Sequence, residues 1–356
     1  MKFVFQGFTC TSCGKCCTSR FEIPVEHDKA AQIKQTAVYQ RCSKEGFEPL
    51  PVLAGNHTFL GYDEAGQCLF YDNGLCCLHK EQGGQAKPLI CQVYPYNFVN
   101  TPDGITVSLL FSCPSVIAGN PDNGEEAKNE ISTLLEQERL PVLSQIKNHI
   151  LVTSWETMEW QSYLRWESRF LEEWKGSSPL QGLLEATASL IESNGTQPAS
   201  ADLLEKTTEA ISQFAVSCLV YLEQDVDDES FFSALHNDEK PASHRLEAPL
   251  PQFSLLTPHS QIEREALTRY VRNQVEGRLL LIGPSLVCRL LLCTTALSIL
   301  LYDLNVMRER DGTRHFDFHH LQQAFATCEE RLVSQSNDLE PYLLEMEEYL
   351  FGSVSY

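Results

Sequence analysis

The densest chemistry in this chain is a run of four cysteines within eight residues. They lie in the stretch FTCTSCGKCC at Cys10, Cys13, Cys16 and Cys17, with a glycine between the second and the third. A Cys-x-x-Cys turn brings two sulfurs onto one ion while its backbone amides point toward the site, and thiolates suit soft or borderline metals. The run therefore predicts the first half of a metal or iron–sulfur centre.

Further cysteines follow in four short motifs before residue 116. The motifs are GQCLFY with Cys68, GLCCLH with Cys76 and Cys77, KPLICQVYP with Cys91, and FSCPS with Cys113. Each cysteine lies at or within a few residues of a turn residue or a proline, as in ligand loops whose constrained backbone aims a sulfur inward. These motifs are the candidates for the rest of the ligand set.

The spacing of the first three cysteines favours a [4Fe–4S] cluster but leaves zinc open. Cys10-x2-Cys13-x2-Cys16 equals the first three ligands of a bacterial ferredoxin loop, and Cys113-Pro114 could supply the fourth ligand. The local fourth position of such a loop is Arg20, so the ferredoxin pattern is incomplete. Two tetrahedral zinc sites of four cysteines each would also use eight thiolates.

Adjacent Cys16 and Cys17 raise a separate question about the ligand set. Consecutive side chains diverge, so the two thiols are not expected to bind one ion together. One of them would serve a second metal or remain a free thiol.

Taken together, these motifs resemble the CxxCxxCC cysteine-cluster family, a zinc- or iron-chelating domain. The resemblance covers about residues 8–115, and it implies that Cys77 occupies a variable position and that Cys42 has no counterpart. Where the family has Arg-Pro and Cys-Arg, this chain has Lys87-Pro88 and Cys91-Gln92. The metal ligands that the resemblance implies are Cys10, Cys13, Cys16, Cys17, Cys68, Cys76, Cys91 and Cys113.

A narrower resemblance is to flagellin lysine-N-methylase, through CLHKEQG and VSLLFSCPS. It implies methyl transfer from S-adenosylmethionine to lysines of a protein. The sequence contains neither the G-x-G turn of a Rossmann-type methyltransferase nor the C-x3-C-x2-C loop of radical chemistry. No catalytic residue can be assigned, and the metal-binding reading is preferred to the methylase.

Charge and cysteine content divide the chain near residue 119. Residues 1–115 carry nine basic and ten acidic side chains, so nearly all of the net charge of −21 belongs to the remainder. This charge disfavours nucleic acid and anionic membranes as partners and is compatible with a basic protein partner or substrate. The N-terminal MKFVFQGFTC does not have the pattern of a secretory signal, so we expect a cytoplasmic protein, in which clustered cysteines bind metal.

The predicted fold class is α+β: a small irregular cysteine-rich metal-binding domain at 1–119, then an acidic all-α helical domain at 120–356. The segment from Asn120 to Gly124 is predicted to be the linker between the two domains. Short strands are expected in the first domain, and helices in the second include 141–152 and 154–174. The apolar segment Leu279–Leu301 is broken by Gly283-Pro284 and by Arg289, which favours a buried core helix over a membrane span.

Some weaker candidates are more simply explained by ordinary structure. An aromatic-rich stripe through Tyr163, Trp166 and Phe170 has near-helical spacing, which favours core packing. His79 could donate a hydrogen bond to a thiolate. His315 and His319 have a metal-compatible spacing but no carboxylate motif nearby.

Overall fold

The computed structural model describes residues 1–5, 8, 10–19, 22–119, 124–136, 144–174, 178–224, 258, 260–312, 318–333 and 336–352. Arg20, His315 and most of the predicted linker therefore lie outside the described residues.

The chain forms two compact units. The first, here called the cysteine unit, comprises Phe5–Phe98 and Cys113–Leu143, and the second, the helical unit, comprises Met1–Val4, Val99–Ser112 and Ser144–Tyr356. The predicted boundary after residue 119 stays a prediction.

The elements of the first 136 residues are short. In chain order they are β1 (Lys2–Phe3), α1 (Lys15–Thr18), α2 (His27–Ile33), α3 (Ala37–Lys44), β2 (Val52–Leu53), β3 (His57–Thr58), β4 (Tyr71–Asp72), β5 (Leu75–Cys76), α4 (Cys77–Gln82), α5 (Leu89–Val93), β6 (Tyr96–Thr101), β7 (Gly104–Leu109), α6 (Pro114–Ala118) and α7 (Glu125–Glu136).

Longer helices dominate the rest of the chain. The elements are β8 (Ser144–Gln145), β9 (His149–Leu151), β10 (Thr157–Glu159), α8 (Trp160–Glu173), α9 (Pro179–Ser193), α10 (Ala201–Gln224), α11 (Gln261–Glu276), α12 (Leu286–Asp311), α13 (Phe318–Ala326), a π-helix (Thr327–Val333) and α14 (Ser336–Phe351). Small sheets with a helical C-terminal region confirm the predicted α+β class.

An apolar core holds the cysteine unit together. Its fully buried side chains include Ile33 on α2, Phe70 before β4 and Leu78 on α4. The β4–β5 hairpin turns at Asn73 and Gly74, both with positive φ, as a two-residue type I′ turn requires. The core is therefore built from short elements whose turns place cysteines beside it.

The helical unit is organised around α12, which packs against α9, α10, α13 and α14. Within the described residues, α12 is the one helix long and apolar enough to cross a membrane, but 83% of its apolar window is buried by the rest of the protein. The predicted core helix is thus observed. The unit also holds most of a four-stranded sheet of order β1-β7-β6-β8, in which β1 runs parallel to β7.

The aromatic stripe of α8 packs in this unit as predicted. Tyr163, Trp166 and Phe170 are buried, and their rings follow one another with centroids 5.7 Å and 5.8 Å apart. Their spacing along one helix face places them against the core rather than on a ligand-binding surface.

The predicted helix over 141–152 is wrong. Residues 144–145 and 149–151 form β8 and β9 instead, and β9 pairs with β10 in an antiparallel hairpin. In β9, Ile150 is buried while His149 and Leu151 are exposed, which is the period-two alternation of a half-buried strand. Helix α8 consequently begins at Trp160, later than the predicted residue 154.

The π-helix carries a buried carboxyl group whose ionisation should couple to folding. Burial raises the pKa of Glu329 to about 7, although a hydrogen bond from Tyr270 and the charge of Arg289 oppose the shift. The folded protein therefore holds a proton that the unfolded chain releases from about pH 4.5 upward. This contribution to stability is fully present below that pH and is lost as the pH rises to about 7.

We expect Glu329→Gln to remove this dependence. Relative to the wild type, the free energy of unfolding should gain roughly 3 kcal/mol between pH 4.5 and pH 8, because Gln mimics the protonated carboxyl. Urea denaturation at a series of pH values measures the difference. Glu348→Gln, an exposed site on α14, is the control and should leave the pH profile unchanged; parallel profiles for Glu329→Gln and the wild type would contradict the assignment.

Candidate metal centre

All fourteen cysteines of the chain carry free thiols. Cys10, Cys13 and Cys16 are exposed, whereas Cys68 and Cys113 are buried, with 6% and 5% of their surface accessible. The eight cysteines of the predicted ligand set all belong to the cysteine unit. Within it they divide into two groups.

The first thiol group surrounds the apolar core of the unit. Cys68 is part of that core, and Cys17, Cys76 and Cys91 pack against it. The Cys68 backbone N–H donates to the Cys17 carbonyl oxygen at 2.8 Å, and Cys76 pairs with Tyr71 across the β4–β5 hairpin. The first thiol group consists of Cys16, Cys17, Cys68, Cys76 and Cys91.

Electrostatics also link these five thiols. Burial, with smaller contributions from the neighbouring thiols of Cys76 and Cys16, raises the pKa of Cys68 to about 12. Burial likewise raises the pKa of Cys91 above its usual range, with Cys68 adding to the shift and the charge of Lys87 opposing it. Several thiolates close together repel one another unless a cation lies among them, which is the situation that a bound metal relieves.

Cys16 and Cys17 are in direct contact, with their sulfur atoms 3.8 Å apart. The hydrogen bond between the two thiols, with a smaller contribution from the charge of Lys87, lowers the pKa of Cys16 to about 7. The same contact raises the pKa of Cys17 well above its usual range. Of this adjacent pair, Cys16 is therefore the thiol that ionises first.

The second thiol group consists of Cys10, Cys13 and Cys113. Two side chains tie its loops together, since the hydroxyl oxygens of Thr11 and Ser115 are 2.6 Å apart. Burial raises the pKa of Cys113 to about 11, and the thiols of Cys13 and Cys10 add to the shift. At the turn, Ser12 has φ 54° and its backbone N–H donates to the Cys10 sulfur at 3.4 Å.

Gly14 fixes the segment between the two groups. It has φ 75°, and a Cβ atom there would collide with the Tyr71 hydroxyl, so a side chain is disfavoured both by conformation and by space. Its carbonyl oxygen accepts from the Cys17 N–H at 2.8 Å. The glycine of the CxxCxxCC run is therefore a packing requirement.

We expect Gly14→Ala to lower the free energy of unfolding by about 2 kcal/mol or more, because left-handed backbone costs about 1–2 kcal/mol for a residue with Cβ and the Tyr71 contact adds to it. Thermal melting measures the loss. Gly46→Ala is the matched control, since Gly46 also has a positive φ, 92°, but nothing lies within 4 Å of its Cβ position. Equal losses in the two variants would show that the Tyr71 contact is unimportant.

The donor set fits a soft or borderline metal by its chemistry. Both groups offer several thiols, and a polar atom beside the second group, the Tyr96 hydroxyl, is buried without a hydrogen-bond partner among the described residues. No three histidine, cysteine, aspartate or glutamate side chains in the described part of the chain are already arranged around one ion. Metal binding therefore requires the thiols of each group to draw together.

The remaining sequence candidates belong to neither thiol group. Cys42 and Cys77 are buried in the apolar core, where Arg41 interacts with both. His79 is exposed on α4, and no hydrogen bond from its ring to a thiol is found in the described ranges. Cys218, Cys288, Cys293 and Cys328 are buried in the helical unit, as small core residues are.

Two residues near the thiols were not singled out from the sequence. Lys87 appeared there only as a departure from the Arg-Pro pattern, yet its charge acts on Cys16 and Cys91. No local pattern in the sequence marks Tyr96 as a functional residue. Only the fold brings its phenol beside Cys10 and Cys113.

Comparison with known proteins bears on the cysteine unit. Residues 9–114 match the CxxCxxCC family, described as a putative zinc- or iron-chelating domain. No curated protein and no solved structure matches the chain. The expected span of about residues 8–115 is confirmed, while the lysine methylase stays a prediction. Residues 9–114 are thus similar to the CxxCxxCC family over the part of the chain that carries all eight cysteines of the predicted ligand set.

Proposed function

We propose that this protein binds metal through the clustered cysteines of its CxxCxxCC domain, as a [4Fe–4S] cluster or as zinc. The observation that carries the proposal is the clustering of free thiols from five separate segments of the chain inside one unit. Neighbouring thiolates repel one another, and a bound cation offsets that repulsion. Metal binding also supplies folding free energy to small cysteine-rich domains.

Each thiol has a role in this proposal. Cys68, Cys76 and Cys91, together with Cys16 or Cys17, would hold metal beside the core, and Cys10, Cys13 and Cys113 would hold metal at the Thr11–Ser115 contact. Lys87 would offset part of the negative charge of the thiolates. A reducing compartment such as the cytoplasm, in which thiols stay free, belongs to the proposal.

Purification without oxygen followed by metal analysis tests this function. A brown protein with broad visible absorption and several irons per chain would support an iron–sulfur cluster. A colourless protein with stoichiometric zinc would support zinc and exclude electron transfer by an iron–sulfur cluster. A chain that carries neither metal, and that takes up neither when the reduced protein is supplied with zinc or with iron and sulfide, would contradict the proposal.

A further inference from the structure

The second thiol group has a neighbour that the family's cysteine pattern does not include. Tyr96 at the start of β6 is 7% exposed, and its hydroxyl oxygen has no hydrogen-bond partner among the described residues. A buried hydroxyl without a partner typically costs about 1–3 kcal/mol, so such groups call for an explanation, often an unseen ion or water.

The surroundings of Tyr96 show which acceptor is within reach. Its ring is held by aromatic contacts, with centroids 5.8 Å from Phe8 and 5.7 Å from Phe5. Its hydroxyl interacts electrostatically with the thiols of Cys10 and Cys113 and with Glu130 of α7. Glu130 and Cys10 are exposed to solvent, so the enclosed acceptor near the phenol is the sulfur of Cys113, which is buried.

These sulfurs differ from Cys17, Cys68, Cys76 and Cys91 of the first group in their packing. The first group adjoins the apolar core around Phe70 and Leu78, whereas Cys10, Cys13 and Cys113 are not part of that core cluster. The Thr11–Ser115 contact holds the second group at its own loops. One of Cys16 and Cys17, with Cys68, Cys76 and Cys91, already makes four thiolates, which complete a tetrahedral site.

We propose that Cys10, Cys13 and Cys113 form a second, separate metal site of three thiolates, and that the Tyr96 hydroxyl donates a hydrogen bond to one of its sulfurs. This inference rests on the proposed metal binding. Three protein ligands leave one position of a tetrahedral ion for a water or another small ligand, as in sites that do chemistry, while the four-thiolate site is closed and structural. Tyr96 acts on the metal through a thiolate and is a positioning residue.

Zinc alone is the probe for this site, added to the reduced, metal-free full chain and then removed with a competing chelator. We expect two zinc ions per chain, released in two steps of different affinity. Cys113→Ser should abolish the release step of the second thiol group and leave that of the first. Cys68→Ser should abolish the step of the first group and leave that of the second. Cobalt(II), which reports its ligands by its visible spectrum, should show two distinguishable environments.

Tyr96→Phe is the decisive variant because it removes only the hydroxyl. Loss of a partner that orients a ligand typically lowers metal affinity 10- to 100-fold, and we expect a loss of that size at one of the two steps. Tyr62→Phe is the matched control, since Tyr62 lies beside Cys68 and Cys91 of the first group. It should leave the Cys113-dependent step unchanged.

The outcomes separate this inference from the proposed function. A chain that binds no metal overturns both. Zinc that leaves in a single step, or Cys113→Ser losing all metal while circular dichroism shows a folded chain, would overturn the second site alone. Identical zinc affinities for Tyr96→Phe and the wild type would remove Tyr96 from it.

Discussion

Cys68→Ser should abolish metal binding at the first thiol group and destabilise the cysteine unit. Cys68 lies at the centre of that group: its thiol interacts with Cys76 and Cys16, and its N–H donates to the Cys17 carbonyl. Structural zinc contributes about 10–16 kcal/mol of apparent binding free energy in zinc-finger peptides, so losing one of four thiolates should lower the free energy of unfolding by several kcal/mol. Metal analysis and urea denaturation of the metal-loaded protein measure both effects.

Cys77→Ser is the matched control for this prediction. Cys77 is also buried in the core of the cysteine unit and adjoins Cys76, but it lies outside both thiol groups. We expect it to retain the full metal content, with only the modest loss of stability that a buried hydroxyl causes. Full metal in Cys68→Ser, or equal metal loss in both variants, would contradict the assignment of ligands.

Arg278→Ala should destabilise the helical unit by about 3–5 kcal/mol, the usual cost of breaking a buried ion pair. Arg278 forms an ion pair with Glu167, and the side chains are 5% and 7% exposed. Its guanidinium also lies over the rings of Trp160 and Tyr163, 5.3 Å and 5.4 Å from their centroids. Alanine would leave the Glu167 carboxylate buried with an uncompensated charge.

Two controls distinguish this mechanism from general damage. Arg272→Ala breaks the exposed pair with Glu276 on α11 and should cost less than about 1 kcal/mol. Arg278→Met combined with Glu167→Leu removes both charges and should recover much of the stability lost by Arg278→Ala. Equal losses in Arg278→Ala and Arg272→Ala, measured by urea denaturation, would contradict the buried pair.

The sequence predicted those features that depend on composition and local pattern. The α+β class, the core helix α12 and the aromatic face of α8 follow from hydrophobic periodicity, which is strong in long helices. The resemblance of the cysteine motifs to the CxxCxxCC family predicted the span of about residues 8–115, which the family match over residues 9–114 confirms.

Features that depend on tertiary contacts could not be predicted in the same way. Residues 144–145 and 149–151 form strands because they pair with β6 and β10, and a short apolar segment does not by itself distinguish a strand from a helix. The division of eight cysteines into two groups depends on which loops meet. The environment of Tyr96 likewise depends on tertiary contacts between the distant segments that carry Cys10, Tyr96 and Cys113.

Differential alkylation of the metal-loaded chain tests the central claim most directly. Cys10, Cys13 and Cys16 are exposed, and exposed free thiols react readily with iodoacetamide. If these cysteines hold metal, peptide mapping should find them protected in the metal-loaded protein and labelled once a chelator has removed the metal. Labelling of all three at the rate of free thiols, while metal analysis still shows a loaded protein, would contradict the account.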